Sequence, residues 1–248
     1  MINVDTVYQT VQALANKEQR GYVTPQEFNL FANQAQMEIF EQYFYDLNQV
    51  QRVVGNDTVY SDVDDILEEK IQIFEDTDGP VNINGYIQAG SNPYLREIPD
   101  YIYRVEAVYY GPNYSKCEIL NTKDFKAAMW GGYLVNPTIS RPIVNIRNNT
   151  FRVSAGPNAT PQFNGLVMPS EIIYIRRPIK VEWGYFVVGD KALWDSNSTK
   201  TRHFELHGSE ETELVYKILK YAGVSIKRTD IAQAGQIGEQ TQIQQEKQ

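Results

Sequence analysis

From Thr24 to Leu47 the chain reads TPQEFNLFANQAQMEIFEQYFYDL, with apolar residues recurring every three or four positions, and this spacing predicts one long helix. Thr24 stands where an N-cap belongs. Pro25 suits the first helical position with its fixed φ and missing N–H, and Glu27 completes a capping box. At about 100° per residue, Phe28, Phe31, Ala35, Ile39 and Tyr43 fall on one stripe that should face the subunit's core. Leu30, Met37 and Phe44 share the opposite side at heptad spacing. A second stripe calls for a second packing partner, either another element of this chain or a neighbouring subunit, and a helix apolar all round is also what a core helix looks like.

Before it, Asn3 or Asp5 can cap a helix in which Val4, Val7, Val11 and Leu14 recur at helical spacing, ending near Gly21 and lying antiparallel to the long helix. After Leu47 the periodicity fades, and the acidic cluster Asp62, Asp64, Asp65 leads into a short helix or directly into a strand. Residues 70–206 read as strands broken by turns: 70–75, 81–88, 101–110, 143–147, 151–154, 172–176 and 180–186. Asn148-Asn149 suits a two-residue hairpin because Asn tolerates positive φ. Thr122 is expected to cap a helix over 123–130 with Phe125 and Met129 on one side, and Pro178 marks an edge or bend. A last helix is expected to start at Ser209, with Glu210, Glu211 and Glu213 at its positive end, Leu214, Val215, Ile218, Leu219 and Ala222 on its apolar face, and Gly223 as its stop. Lys217, Lys220, Lys227 and Arg228 favour its negative end.

The fold class expected is α+β, with the terminal helices packed together as a bundle and a β-rich middle. The corresponding parts are a helical N-terminal region at 1–68, the β-rich middle at 69–206, a returning helix at 207–228 and a polar tail at 229–248. That tail is rich in Gln, with Ile231, Ile237 and Ile243 as sparse apolar anchors. Such a composition does not fold alone; the tail either orders on a partner or is dispensable.

Composition narrows the chemistry. A net charge of −8 argues against gripping nucleic-acid phosphates, which needs clustered Lys and Arg, although an acidic surface would let DNA pass without sticking. One cysteine, Cys117, excludes an intrachain disulfide. No apolar run is long enough to span a bilayer and MINVDTVYQT lacks a basic signal region, so assembly in the cytoplasm is expected, with no membrane partner. The 17 tyrosines suit strand faces and contact surfaces. His203 and His207 are four apart but do not form HExxH, so structural or surface histidines are expected. Asp76, Asp78 and Gly79 lack the remaining calcium-loop ligands and read as a polar turn. With no nucleophile elbow or phosphate loop, the sequence supplies no catalytic, cofactor-binding or metal-binding residue to name. Two carboxylates meeting across the fold would still make a glycan hydrolase, an alternative class.

Two segments, GYVTPQEFNLFANQAQMEIFEQYFYDLNQ at 21–49 and ELVYKILKYAGVSIKRTDIAQAG at 213–235, with the looser IPDYIYRVEAVYYG at 98–111, resemble the neck ring proteins of crAss-like bacteriophages, of the head-to-tail adaptor (connector) type. The resemblance implies a non-enzymatic structural protein of the virion, a homo-oligomeric ring of twelve subunits that joins portal to tail and continues the DNA channel. Its implied partners are the portal protein and other neck or tail rings, with DNA passing through the lumen without sequence-specific binding. Leu30, Met37 and Phe44 are then candidates for the subunit interface, and Ile231, Ile237 and Ile243 for docking to the portal. The acidic run 62–69 either lines the lumen or is a solvated helix start. Another neck or tail ring, or a head-completion protein, is the neighbouring alternative.

Overall fold

A computed structural model describes residues 1–16, 22–52, 58–90, 92–130, 136–159, 165–189, 191–195, 198–225 and 240. The chain begins with α1 (Val4–Asn16), α2 (Pro25–Arg52) and α3 (Thr58–Gln72). There follow β1 (Glu75–Asp78), α4 (Pro80–Gly85), β2 (Arg96–Glu97), β3 (Ile102–Tyr110), β4 (Ser115–Lys116), β5 (Glu118–Ile119) and α5 (Thr122–Trp130). After these come β6 (Ile143–Arg147), β7 (Thr150–Ser154), β8 (Glu171–Arg176), β9 (Tyr185–Val188), β10 (Lys191–Trp194), a 3-10 turn (Gly208–Glu210) and α6 (Glu211–Ser225). The protein is mixed helix and sheet, with several separate sheets. It forms two units: Met1–Ile73 together with Pro178–Gln248, and Phe74–Arg177.

In the first unit α2 packs on α3 and α6, and α1 packs chiefly on α6 rather than forming the expected antiparallel pair with α2. The capping box at the start of α2 is present: the Glu27 amide donates to Thr24 Oγ1 at 3.3 Å, and Glu27 Oε2 accepts from the Thr24 amide at 3.1 Å. Phe28, Ala32, Gln36, Phe40 and Phe44 are all buried. They lie four apart, so each step advances the buried face by about 40° and the face winds around the helix. That drift explains why Leu30 near the start is exposed while Phe44, on nominally the same side, is in the core. α3 extends to Gln72, replacing the strand expected over 70–75, because Leu67 and Ile71 lie one helical turn apart and both are buried.

At the C-terminal end, the cap is His207, whose Nδ1 accepts from the Ser209 amide, and Ser209 itself lies in the 3-10 turn. α6 runs through Gly223 to Ser225. Burial of Leu219 and Ala222 outweighs the roughly 1 kcal/mol that a helical glycine costs. The strand expected over 180–186 is displaced: the ladder with β10 covers Tyr185–Val188, and Glu182 makes an isolated bridge with Arg202. Residues 178–206 thus belong with the terminal helices and not with the β-rich middle.

The second unit holds two four-stranded sheets, in orders β1-β8-β3-β4 and β2-β7-β6-β5. All pairs are antiparallel except β5 with β6. Its main core gathers Ile98, Val108, Val144, Phe151 and Ile172. The Asn148-Asn149 hairpin joins β6 to β7 with φ of 50° and 56°, and Asn149 Nδ2 donates to the Ile98 carbonyl at 2.7 Å. Phe125 and Met129 share one cluster under α5, but the cap of that helix is Asn121, whose Oδ1 accepts from the amides of Lys123 and Asp124. Residues 81–88 are not a strand: Pro80 starts the short helix α4, and Ile83 is its buried anchor.

Candidate assembly surface

Along residues 179–183, side chains hold the main chain of Ile179, Val181 and Trp183, while Glu182 between them forms an antiparallel bridge with Arg202, amide to carbonyl at 3.2 and 2.9 Å. Asn33 Oδ1 accepts from the Val181 amide at 2.8 Å while its Nδ2 donates to the Val181 carbonyl at 2.8 Å. Asn29 Oδ1 accepts from the Trp183 amide at 2.8 Å, and Gln36 Nε2 donates to the Ile179 carbonyl at 2.9 Å. Asn29, Asn33 and Gln36 are spaced four and three apart, so they form one polar rail along α2. Glu205 closes the arrangement, taking the Ile179 amide at 2.7 Å, with its own amide on Gln36 Oε1 at 3.2 Å. Trp183 is buried, donates from Nε1 to Asp5 Oδ1 at 3.0 Å and packs on Tyr8 and Tyr185. This strap fixes the root of the β9–β10 hairpin. The amides responsible looked in the sequence like ordinary polar positions of an amphipathic helix; their helical spacing was the only signal.

Beyond the root the hairpin meets solvent. Phe186, Val187, Val188 and Leu193 are 47%, 64%, 55% and 46% exposed. Cross-strand register pairs Phe186 with Leu193 and Val187 with Ala192, so apolar groups occupy both faces of a two-stranded sheet. A run such as YFVV is the composition of a strand covered on both sides, and an isolated hairpin is marginal in water.

The candidates from the sequence are placed as follows. Leu30 is 70% exposed on α2 and Met37 is half-buried. Phe44 is buried against Phe40, ring centroids 5.1 Å apart, which removes it from the exposed stripe. Ile231, Ile237 and Ile243 lie outside the described residues, as do Lys227 and Arg228. His203 Nδ1 accepts from the Val4 amide at 3.3 Å and His207 caps the 3-10 turn, so both rings have backbone partners. Among the described residues no group of three His, Cys, Asp or Glu side chains could hold a metal ion, and no helix is long and apolar enough to cross a membrane. Burial pushes the Cys117 thiol up to about 12.

Charged side chains escaped the sequence reading in one respect. Glu210 and Glu213, expected to serve the helix dipole, are buried and paired: Glu210 with Lys70 at 2.5 Å, and Glu213 with the buried Lys217 at 3.3 Å. Lys217 also reaches Glu38 at 3.5 Å, and Glu38 accepts from the Tyr221 hydroxyl. In the second unit Asp78, expected in a polar turn, is buried at the end of β1 and accepts from Tyr86, from Asn82 at 2.8 Å and from Tyr101 at 3.1 Å. Burial alone would raise its pKa, but the donors, Tyr86 foremost, outweigh it and hold the carboxyl below its usual value. These groups brace the fold: their donors and acceptors point at one another.

No protein-family model and no curated protein matches this chain.

Proposed function

We propose that this chain is a non-enzymatic structural subunit of a phage virion, forming a ring in the neck that joins portal to tail and continues the DNA channel. The observation that carries the reading is the β9–β10 hairpin, rooted firmly in the first unit and apolar on both exposed faces. An anchored apolar projection on a strongly acidic chain suits a protein whose work is assembly. The resemblance of 21–49 and 213–235 to neck ring proteins of crAss-like phages supplies the setting, and these segments contain most of α2 and α6, which pack on one another. On this reading the terminal helices form the bundle that carries the ring, Leu30 and Met37 lie at or near a subunit contact, and the C-terminal tail with Ile231, Ile237 and Ile243 docks to the portal. The ring has twelve subunits, and its negative charge lets DNA pass.

The test is cryo-electron microscopy of this protein mixed with the portal of the same phage. An added twelvefold ring below the portal, with the tail ordered against it, is the expected result. Absence of a ring, with the protein found lower in intact particles, would move it to another neck or tail ring. Absence from particles together with turnover of peptidoglycan would replace the reading with a hydrolase.

A further inference from the structure

In the second unit, α5 covers one side of the sheet β2-β7-β6-β5, where Ile143 of β6 clusters with Phe125 and Ala128 of that helix. Ser154 ends β7 directly opposite Ile143, so its side chain lies on the same side of the sheet. Ser154 is 1% exposed, and its hydroxyl takes part in no hydrogen bond among the described residues. A buried polar group without a partner is uncommon and calls for an explanation. Here it borders a cavity of about 450 Å³, a size within the range of small-molecule sites.

The walls of this cavity are part of the fold. Met129 and Trp130, the last two residues of α5, line it, and Trp130 is 84% exposed, which places its ring at the mouth. Asn136 and Pro137 line it as well, and Pro137 meets the turn after β7 closely. A Cβ on Gly156, whose φ is +83°, would stand 2.1 Å from the Pro137 carbonyl oxygen. Glycine there lets the two backbone segments approach, so the cavity is shaped by main chain as well as by side chains.

The lining selects the ligand's chemistry. Among the described residues no ionisable side chain lines the cavity, so a charged ligand would lose water without gaining a counter-charge. A purely aliphatic ligand would leave the Ser154 hydroxyl buried without a partner. An extended peptide finds no free edge, because β7 is an interior strand between β2 and β6. What fits is a neutral molecule with an apolar face for Trp130 and Met129 and a hydroxyl for Ser154, and a pyranose ring has both. We propose that this cavity binds a neutral hexopyranose, with the C–H face of the sugar on Trp130 and one of its hydroxyls bonded to Ser154. With no carboxylate in that lining, the sugar is held and not cleaved. The site goes beyond the ring reading and does not depend on it.

The experiment is saturation-transfer NMR of the full chain with the methyl glycosides of glucose, galactose, mannose and N-acetylglucosamine. Galacturonate and acetyl-leucine amide serve as charged and aliphatic controls. Transfer to the ring C–H protons of at least one glycoside, and to neither control, is the expected result. Trp130→Ala, at an exposed position outside the cores, should weaken that binding roughly tenfold, and Ser154→Ala roughly fivefold, the worth of one hydrogen bond. Tighter binding of the matching trisaccharide than of the methyl glycoside would mark a glycan as the source, and tighter binding of the single sugar a free sugar. A glycoside that binds both variants as well as the parent sits elsewhere, which would overturn the proposal. Transfer to acetyl-leucine amide alone would make the cavity an anchor for a protein side chain and overturn it too. Transfer to galacturonate alone, or to none of the compounds, would do the same.

Discussion

Lys217 is 1% exposed, yet its ammonium stands between Glu213 at 3.3 Å and Glu38 at 3.5 Å. Glu38 is partly open to solvent and its pair is screened, so Glu213 is the partner that matters. Lys217→Ala would leave a buried carboxylate without its cation and is expected to cost about 3–5 kcal/mol in urea unfolding. The double change Lys217→Met with Glu213→Leu should recover most of that loss, since well-packed apolar groups replace buried ion pairs at little cost. Asp78 differs in having hydroxyl and amide donors around it in place of a cation. Its pKa is lowered in the folded chain. The stability it contributes is therefore fully present above the unfolded carboxylate value, about 4, and is lost as pH falls through the lower folded value. Asp78→Asn should cost about 1–3 kcal/mol at neutral pH, because an amide N–H then faces hydroxyl donors. The gap between variant and parent should close as the pH is lowered below about 4, as read by unfolding at a series of pH values.

At the scale of elements, α2 shows what spacing reveals and what it conceals. Its start was legible because a capping box is local chemistry, complete within Thr24 to Glu27. The core stripe was legible for Phe28, Ala35, Ile39 and Tyr43, all buried. Phe44 was misplaced because a fixed stripe assumes one straight partner, whereas α2 packs on both α3 and α6 and its buried face winds between them. The rail of Asn29, Asn33 and Gln36 belongs to the same lesson. Removing its central member in Asn33→Ala leaves the Val181 N–H and C=O without their partner and should cost about 1–3 kcal/mol. Hydrogen exchange at the Val181 and Trp183 amides should speed up well before global unfolding, while exchange in β6 and β7 stays unchanged. If all amides accelerate together, the strap is part of the global core and not a separately opening clip.

For the whole molecule, the tail is the segment on which assembly and folding should separate. Deleting Ile231–Gln248 removes no residue of α6 or of the cores described above, so the melting temperature is expected to hold within a few degrees. On the proposed neck-ring reading, docking to the portal, measured by co-sedimentation, should be lost. Retained docking would shift the portal contact to a folded surface of the chain. The division into units also belongs to this scale. Helix at both ends and strand between was readable from periodicity, but 178–206 sits with the helices despite its strand-like composition.

The sequence by itself determined the capped start of α2, the positive-φ Asn148-Asn149 turn and the apolar runs, broken by turn residues, that became β3 and β6 to β8. The cap and the turn depend on contacts between neighbours in the chain, whose energies do not wait on the rest of the fold, and the runs depend on local composition alone, which marks a strand but not its partner. Only the tertiary structure decided that Glu213 and Lys217 would pair in the interior, that Asp78 would be ringed by tyrosines, and that side-chain amides 148 residues away would hold the strap beneath the exposed hairpin. Burial is the reason. A polar side chain reads the same in sequence whether it meets water or a partner, and folding alone determines which donor stands opposite it.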